Sequence, residues 1–222
     1  VRLALFDLDG TLLPGDSDHA FGEYLVHLGW ADGREFARRN DTFYADYQAG
    51  RLDIHDYIDF ITAPWRSRPA GEAEAASRRF IDDIVRPMLR PAALQLIERH
   101  RAAGDRLAIV TATNDFVTRP IADLLGVSDL IATELERDVQ GRATGAIRGV
   151  PSFREGKVTR VEQWLARAGT SLEGCERSVF YSDSTNDLPL LERVRDPVAT
   201  NPGPALEKLA RERGWPVLKL FE

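Results

Sequence analysis

One cysteine stands in 222 residues, Cys175 in the polar stretch SLEGCERS. A lone cysteine forms no internal disulfide, so the fold must hold by its core, and a reducing cytoplasm is the expected compartment. No His-bearing motif surrounds Cys175, which speaks against a catalytic thiol. Long apolar runs are missing as well. The longest falls far short of the ~20 residues that cross a bilayer, so no membrane partner is expected. No secretory leader is read, because the first apolar run is short and ends in Asp7. The chain opens on Val1 and not on Met, so residues ahead of it, or processing, are expected. The four histidines, His19, His27, His55 and His100, show no ligand spacing such as His-x3-His. A basic stripe is also lacking: 29 Lys and Arg stand against 35 Asp and Glu, a formal net charge of −6. General nucleic-acid binding is therefore not expected. There is no Gly-x4-Gly-Lys loop, which weakens a kinase or nucleotidase reading. Internal repeats and low-complexity tracts are absent.

What is present is a rhythm of short apolar runs. LALFD (3–7), LAIVT (107–111), LIAT (130–133), VFYSD (179–183), PVAT (197–200) and PVLKL (216–220) read as buried strands bounded by Gly, Pro or polar clusters. Helical patterns lie between them at 91–104, 115–126, 156–169 and 204–214, each finishing on Gly. Alternating strand and helix predicts an α/β chain, a three-layer Rossmann-like core with a parallel sheet between two helical layers. The stretch 15–88 breaks that rhythm. Phe21, Tyr24, Leu25 and Leu28 recur at helical spacing, as do Phe36, Phe43, Tyr44 and Tyr47, and then Ile54, Tyr57, Ile58 and Ile61. This predicts an all-α cap of about four helices over 15–88, inserted into a core formed by 1–14 and 89–222. The segment around 139–150 reads as a β-hairpin at the sheet edge.

The first strand ends in DLDGT, which places Asp7 and Asp9 one residue apart at the mouth of an apolar run. Such a pair raises its own pKa values unless a cation or donors compensate, so a metal site, a catalytic pair or both are expected. The second strand ends at Thr111 within IVTATN, and the fourth at Asp183 within YSDSTND. In an open parallel sheet the carboxyl ends of strands at the switch point form the ligand crevice. Asp7, Asp9, Asp183 and Asp187 then make an all-oxygen pocket, which favours Mg2+ over zinc. Thr111 and Lys157, each near a helix start, supply a hydroxyl and a positive charge. Together this is a kit for phosphoryl transfer.

These residues resemble the haloacid-dehalogenase superfamily. DLDGT resembles its first motif, Thr111 its second, Lys157 its third, and SDSTND its fourth, with Asp183 and Asp187 matching. A helical insert directly after the first motif resembles the phosphoserine-phosphatase-like branch. The resemblance implies a phosphatase with Asp7 as nucleophile and Asp9 as general acid and base. Mg2+ would be held by Asp7, Asp183 and the Asp9 backbone carbonyl. Gly10, Thr11, Thr111, Ala112 and Lys157 would contact the phosphoryl group, with Asn186 and Asp187 supporting the site. The implied partner is a small-molecule phosphate ester. Asp9 favours a phosphatase over a phosphomutase, and over a phosphate-binding regulator without turnover; oligomeric state is left open.

The resemblance also bears on the substrate. Phosphoserine phosphatases place an acid shortly after the first motif to meet an ammonium, and Asp16 matches it. They place an arginine in the cap to meet a carboxylate, and here Asp59 is aligned in its stead within GRLDIHDYID. An acid there repels a substrate carboxylate. Asp16 and Asp59 are therefore expected to select an ester with a cationic end and no carboxylate. L-Histidinol phosphate leads, with phosphoserine or another amino-alcohol phosphate as the alternative.

Overall fold

The computed structural model describes residues 1–221; Glu222, at the end of the expected core segment, lies outside the described residues. The chain begins with strand β1, Arg2–Phe6, whose residues alternate between the two faces of the sheet. Leu3 and Leu5 face one apolar cluster, Ala4 and Phe6 another. Then comes the helical insert: α1 (Ser17–His27), α2 (Gly33–Gln48), α3 (Ile54–Arg66) and α4 (Ala70–Phe80). The first three start on aspartates. Asp16, Asp32 and Asp53 each accept a backbone N–H from the first turn, a cap that contributes about 1 kcal/mol per helix. A widened turn at Ile81–Val85 and the short α5 (Arg86–Met88) lead back to α6 (Pro91–Ala102).

The remaining elements are β2 (Arg106–Asn114), α7 (Asp115–Leu124), β3 (Asp129–Thr133), β4 (Leu135–Arg137), β5 (Ala143–Ile147), α8 (Glu155–Arg167), β6 (Arg177–Ser182), α9 (Leu188–Leu191), β7 (Asp196–Thr200), α10 (Pro204–Arg213) and β8 (Val217–Leu218). Six strands form one sheet in the order β3-β2-β1-β6-β7-β8. Every pairing in it is parallel. β1 lies in the centre, with Phe6 level with Ile109 of β2 on one side and Tyr181 of β6 on the other. The chain winds outward through β2 and β3, returns to the centre at β6 and winds the other way. That reversal places the switch point beside β1, where the ligand crevice was expected. α8, α9 and α10 cover one face, and α6, α7 and the insert share the core of the other.

Three elements differ from the reading of the sequence. β2 runs past Thr111 to Asn114, with a break in register after Val110. The hairpin begins earlier than 139, because Leu135–Arg137 is its first strand. Asp138 makes the turn by accepting the N–H groups of Gln140 and Arg142. The hairpin leans on the insert, and Gly145, at φ +95°, lies against Asp59 and Arg66 of α3. The last apolar run contributes only Val217–Leu218 to the sheet. Ring stacking joins insert to core: Trp65 on α3 lies 4.1 Å from Phe116 on α7, centroid to centroid. No described helix is long and apolar enough to cross a membrane.

Candidate active site

The ends of β1, β2 and β6 bring together residues that are far apart in the chain. Asp7 continues β1, and its backbone N–H donates to the Tyr181 carbonyl of β6 at 2.9 Å. Lys157, in the first turn of α8, is buried and donates to Asp7 Oδ1 at 2.8 Å. It also reaches Asp187 Oδ1 at 2.7 Å. The Ser182 hydroxyl donates to Asp187 Oδ2 at 2.7 Å. Burial opposes the Lys157 charge, but Asp187 and Asp7 outweigh it and hold its pKa above the usual lysine value. Burial pushes Asp187 up to about 6, with Lys157 pulling the other way. Breaking such a buried pair leaves an uncompensated charge, so Lys157 needs at least one of its two carboxylates in place.

Asp183 follows β6 and comes within reach of the first loop. The Thr11 hydroxyl donates to Asp183 Oδ1 and accepts the Asp183 N–H, both at 3.1 Å. Gly10 makes the approach possible. Its φ is +74°, and a Cβ there would sit 2.5 Å from Asp183 Cγ. Burial, then repulsion from Asp7 and Asp187, raises the Asp183 carboxyl well above its ordinary value. Asn201 holds the same loop from outside, donating to the Gly10 and Thr11 carbonyls at 3.0 and 3.1 Å.

Asp9 turns toward the insert. Its Oδ1 accepts the Ser17 backbone N–H at 2.7 Å, and its Oδ2 accepts the Thr113 hydroxyl at 2.9 Å. Burial and the charges of Asp16 and Asp7 push its pKa up to about 8, against the pull of the Ser17 N–H. A carboxyl raised in this way holds its proton to higher pH than a free aspartate, as a general acid must. Thr111 Oγ1 accepts the Thr113 N–H at 3.2 Å, so the end of β2 folds its own hydroxyls around the crevice.

Asp7, Asp9, Asp16, Thr111 and Ala112 line one cleft between sheet and insert. Its other walls include Asp18, Asn40, Phe43, Tyr44, Tyr47 and Tyr57. Four aromatic residues of the insert thus face the cleft as well as the insert's own packing. Asp16 caps α1, accepting the His19 N–H at 2.7 Å, and burial raises its pKa. Asn186 is buried and donates to the Tyr47 carbonyl at 2.9 Å, joining the fourth-motif segment to α2.

Asp59 is the expected site residue that the structure does not bring to the cleft. It sits on the outer face of α3, 66% exposed, and pairs with Arg66 at 2.5 Å. Ile54 and Tyr57 carry the α3 side chains that meet the cleft; a residue two places past Tyr57 points elsewhere on a helix of 3.6 residues per turn. Three residues escaped the sequence reading. Thr113 was hidden by ending β2 at Thr111, although Thr-x-Thr at a strand end is a visible signal. Asp18 and Asn114 were hidden because their contact, 3.2 Å from Asn114 Nδ2 to Asp18 Oδ1, joins segments 96 residues apart.

Comparison with known proteins gives the family. Residues 4–192 match the model of the haloacid dehalogenase-like hydrolases. The chain belongs to that family. It is 44% identical over 217 residues to a protein of Neisseria meningitidis named histidinol-phosphatase, covering 98% of each. A crystal structure of a protein of unknown function from Bordetella pertussis superposes with a TM-score of 0.93 at 49% identity, covering 99% of each chain. A substrate-bound phosphoserine phosphatase superposes with a TM-score of 0.69 at 18% identity, covering 98% of this chain and 92% of that one, which is a likeness of fold. The chain is thus an enzyme, a phosphatase of the haloacid dehalogenase-like type.

Proposed function

We propose that the chain is a Mg2+-dependent phosphomonoesterase for a small ester whose leaving alcohol carries positive charge, with L-histidinol phosphate as the preferred substrate. One observation carries the reading. The cleft beside Asp7 is walled by Asp9, Asp16 and Asp18, and no Lys or Arg is among the described residues lining it. His19 also lines it but is paired with Asp41 at 2.9 Å, so a substrate carboxylate finds no free cation there, whereas an ammonium finds carboxylates. The relative named histidinol-phosphatase, alike over nearly its whole length, points the same way.

The donor set fits Mg2+. Asp7 and Asp183 offer two carboxylates, and the bare Gly10 lets the Asp183 carboxylate lie against the first loop. No cluster of three His, Cys, Asp or Glu side chains suited to a metal occurs among the described residues. Mg2+ does not demand one, since it commonly takes one or two carboxylates with waters and substrate phosphate. Asp7, Asp183 and the Asp9 carbonyl would hold it, and it would supply positive charge against the phosphoryl oxygens.

In this reading Asp7 attacks phosphorus, the bond from phosphorus to the ester oxygen breaks, and the leaving alkoxide takes the Asp9 proton. Asp9, now ionised, takes a proton from water, which attacks phosphorus, frees inorganic phosphate and restores Asp7. Lys157, Thr111 and the backbone around Gly10, Thr11 and Ala112 neutralise and orient the phosphoryl group. Asp187 holds Lys157, and Asn186 holds the insert (residues 15–88, acting as a cap) against the core. The test is kcat/KM with Mg2+ for L-histidinol phosphate and phosphoserine. At least about tenfold preference for histidinol phosphate is expected, because both esters bring an ammonium but only phosphoserine brings a carboxylate to a cleft walled by carboxylates. Preference for phosphoserine overturns the reading of the substrate.

A further inference from the structure

Asp18 has no part in the chemistry assigned above, yet its residue is only 4% exposed. Burial and repulsion from Asp16 and Asp9 raise its pKa well above the ordinary value. The groups that pull it down are the Tyr57 hydroxyl and the Asn114 amide, neither of them a cation. A neutral polar side chain would satisfy Asn114 at less cost, so a buried carboxylate here calls for another partner.

A second observation comes from α2. Asn40 is 1% exposed and lines the same cleft. Its Nδ2 donates to the His19 carbonyl at 3.0 Å. Its Oδ1 is buried with no hydrogen-bond partner among the described residues. Buried side-chain acceptors are rarely left bare. Two elements of the insert thus turn acceptors toward one cleft, a carboxylate met only by the neutral donors of Asn114 and Tyr57 and an amide oxygen met by none. The complement is a group rich in N–H. The rings of Phe43, Tyr44 and Tyr57 in the same walls favour a cation or a flat heterocycle.

We propose that Asp18 and Asn40 form a second recognition subsite, apart from Asp16, that takes a second N–H-bearing group on the leaving alcohol. The substrate class is then a phosphate ester of an amino alcohol with a further nitrogen base, such as an imidazole, and not of a simple amino alcohol. This rests on the reading of the cleft as a site for cationic leaving groups. Asp16 meets one nitrogen, and Asp18 with Asn40 meets the other.

The test compares kcat/KM for L-histidinol phosphate, phosphoethanolamine and p-nitrophenyl phosphate, whose leaving groups carry two, one and no nitrogen bases. Asp18→Asn keeps the acceptor that Asn114 needs, so the fold is retained. It is expected to lower kcat/KM for histidinol phosphate at least about tenfold more than for phosphoethanolamine, chiefly through KM. Asn40→Leu should shift the same ratio in the same direction, while Asp16→Asn should lower both amine-bearing esters alike. An equal loss on both esters in Asp18→Asn overturns the proposal and leaves Asp18 structural. A wild-type preference for phosphoethanolamine over histidinol phosphate overturns the second subsite alone. An Asp16→Asn variant that lowers kcat/KM for p-nitrophenyl phosphate as much as for the two amines overturns the cationic reading of the cleft, and this inference with it.

Discussion

The Asp9 carboxylate accepts the Ser17 backbone N–H at 2.7 Å, which fastens the end of the first strand's loop to the first turn of the helical insert. The group assigned to move the proton is therefore positioned by the element that covers the cleft. Thr113 holds its other oxygen. A carboxyl with both oxygens occupied has one orientation, which suits a proton carrier better than a free rotor.

Asp9→Asn keeps the shape and removes the proton. For an alkyl phosphate, kcat/KM should fall by about 10²–10⁴-fold, the usual worth of general acid catalysis. For p-nitrophenyl phosphate the fall should be clearly smaller, because that leaving group departs without a proton. Equal losses on the two esters would remove the acid role from Asp9.

Asp7→Asn should retain the fold, because Lys157 keeps its contact with Asp187. Turnover should drop by about 10³-fold or more, as for loss of an essential nucleophile. Circular dichroism checks the fold and steady-state assay the turnover. Near-wild-type turnover would exclude Asp7 as nucleophile.

Chelation with EDTA should abolish activity, and Mg2+ should restore it. Gly10→Ala tests where the ion sits, because an added Cβ would meet the Asp183 carboxylate. The Mg2+ concentration for half-maximal activity should rise about tenfold or more in that variant. An unchanged Mg2+ titration would separate Asp183 from the metal.

Asp18→Asn should also change stability, with a definite dependence on pH. The folded pKa of Asp18 is raised, so the folded state binds its proton more tightly than the unfolded chain does. Whatever Asp18 contributes is fully present below the unfolded value near 3.8 and is lost as pH rises through the folded value. Removing the carboxylate should therefore raise Tm at pH 8 and give no such gain at pH 3.5. A Tm difference independent of pH would mean that Asp18 is not strained by its burial. Gain in stability with loss of specificity is the trade expected of a functional carboxylate.

Asp59→Arg should leave the ratio of histidinol phosphate to phosphoserine turnover as it is, since Asp59 is exposed and paired with Arg66 outside the cleft. A marked rise in phosphoserine turnover would place that face of α3 at the substrate after all.

The parts of the site that could be read from the sequence are those set by strand ends. Asp7, Thr111 and Asp183 each follow an apolar run, and a parallel sheet gathers such ends at its switch point whatever lies between them. Helical spacing likewise revealed the insert, because its aromatic stripes recur every three or four residues. The facing of α3 was not legible. Short ungapped matching aligned Asp59 with an arginine, and a slip of two residues on a helix turns a side chain by about 200°. Asp18 was not legible either. An aspartate in the first turn of a helix is ordinary for the helix dipole, and only the approach of Asn114 and Tyr57 makes it a buried charge.

The central place of β1 in the sheet has a consequence for how the chain is made. Leu3 pairs with Arg106 on one side and with Ser178 on the other. Strand β1 is thus made before both of its neighbours, and its second edge stays open until β6 emerges. At synthesis rates of about 5–20 residues per second, it waits on the order of ten seconds or more for β6. In that interval the insert can form its Asp-capped helices from neighbouring residues alone. The sheet cannot close, and Asp7 meets Lys157 and Asp187 only when most of the chain has emerged. A nascent chain that stops before β6 carries Asp7 on an unpaired apolar edge, which makes it prey for chaperones and proteases.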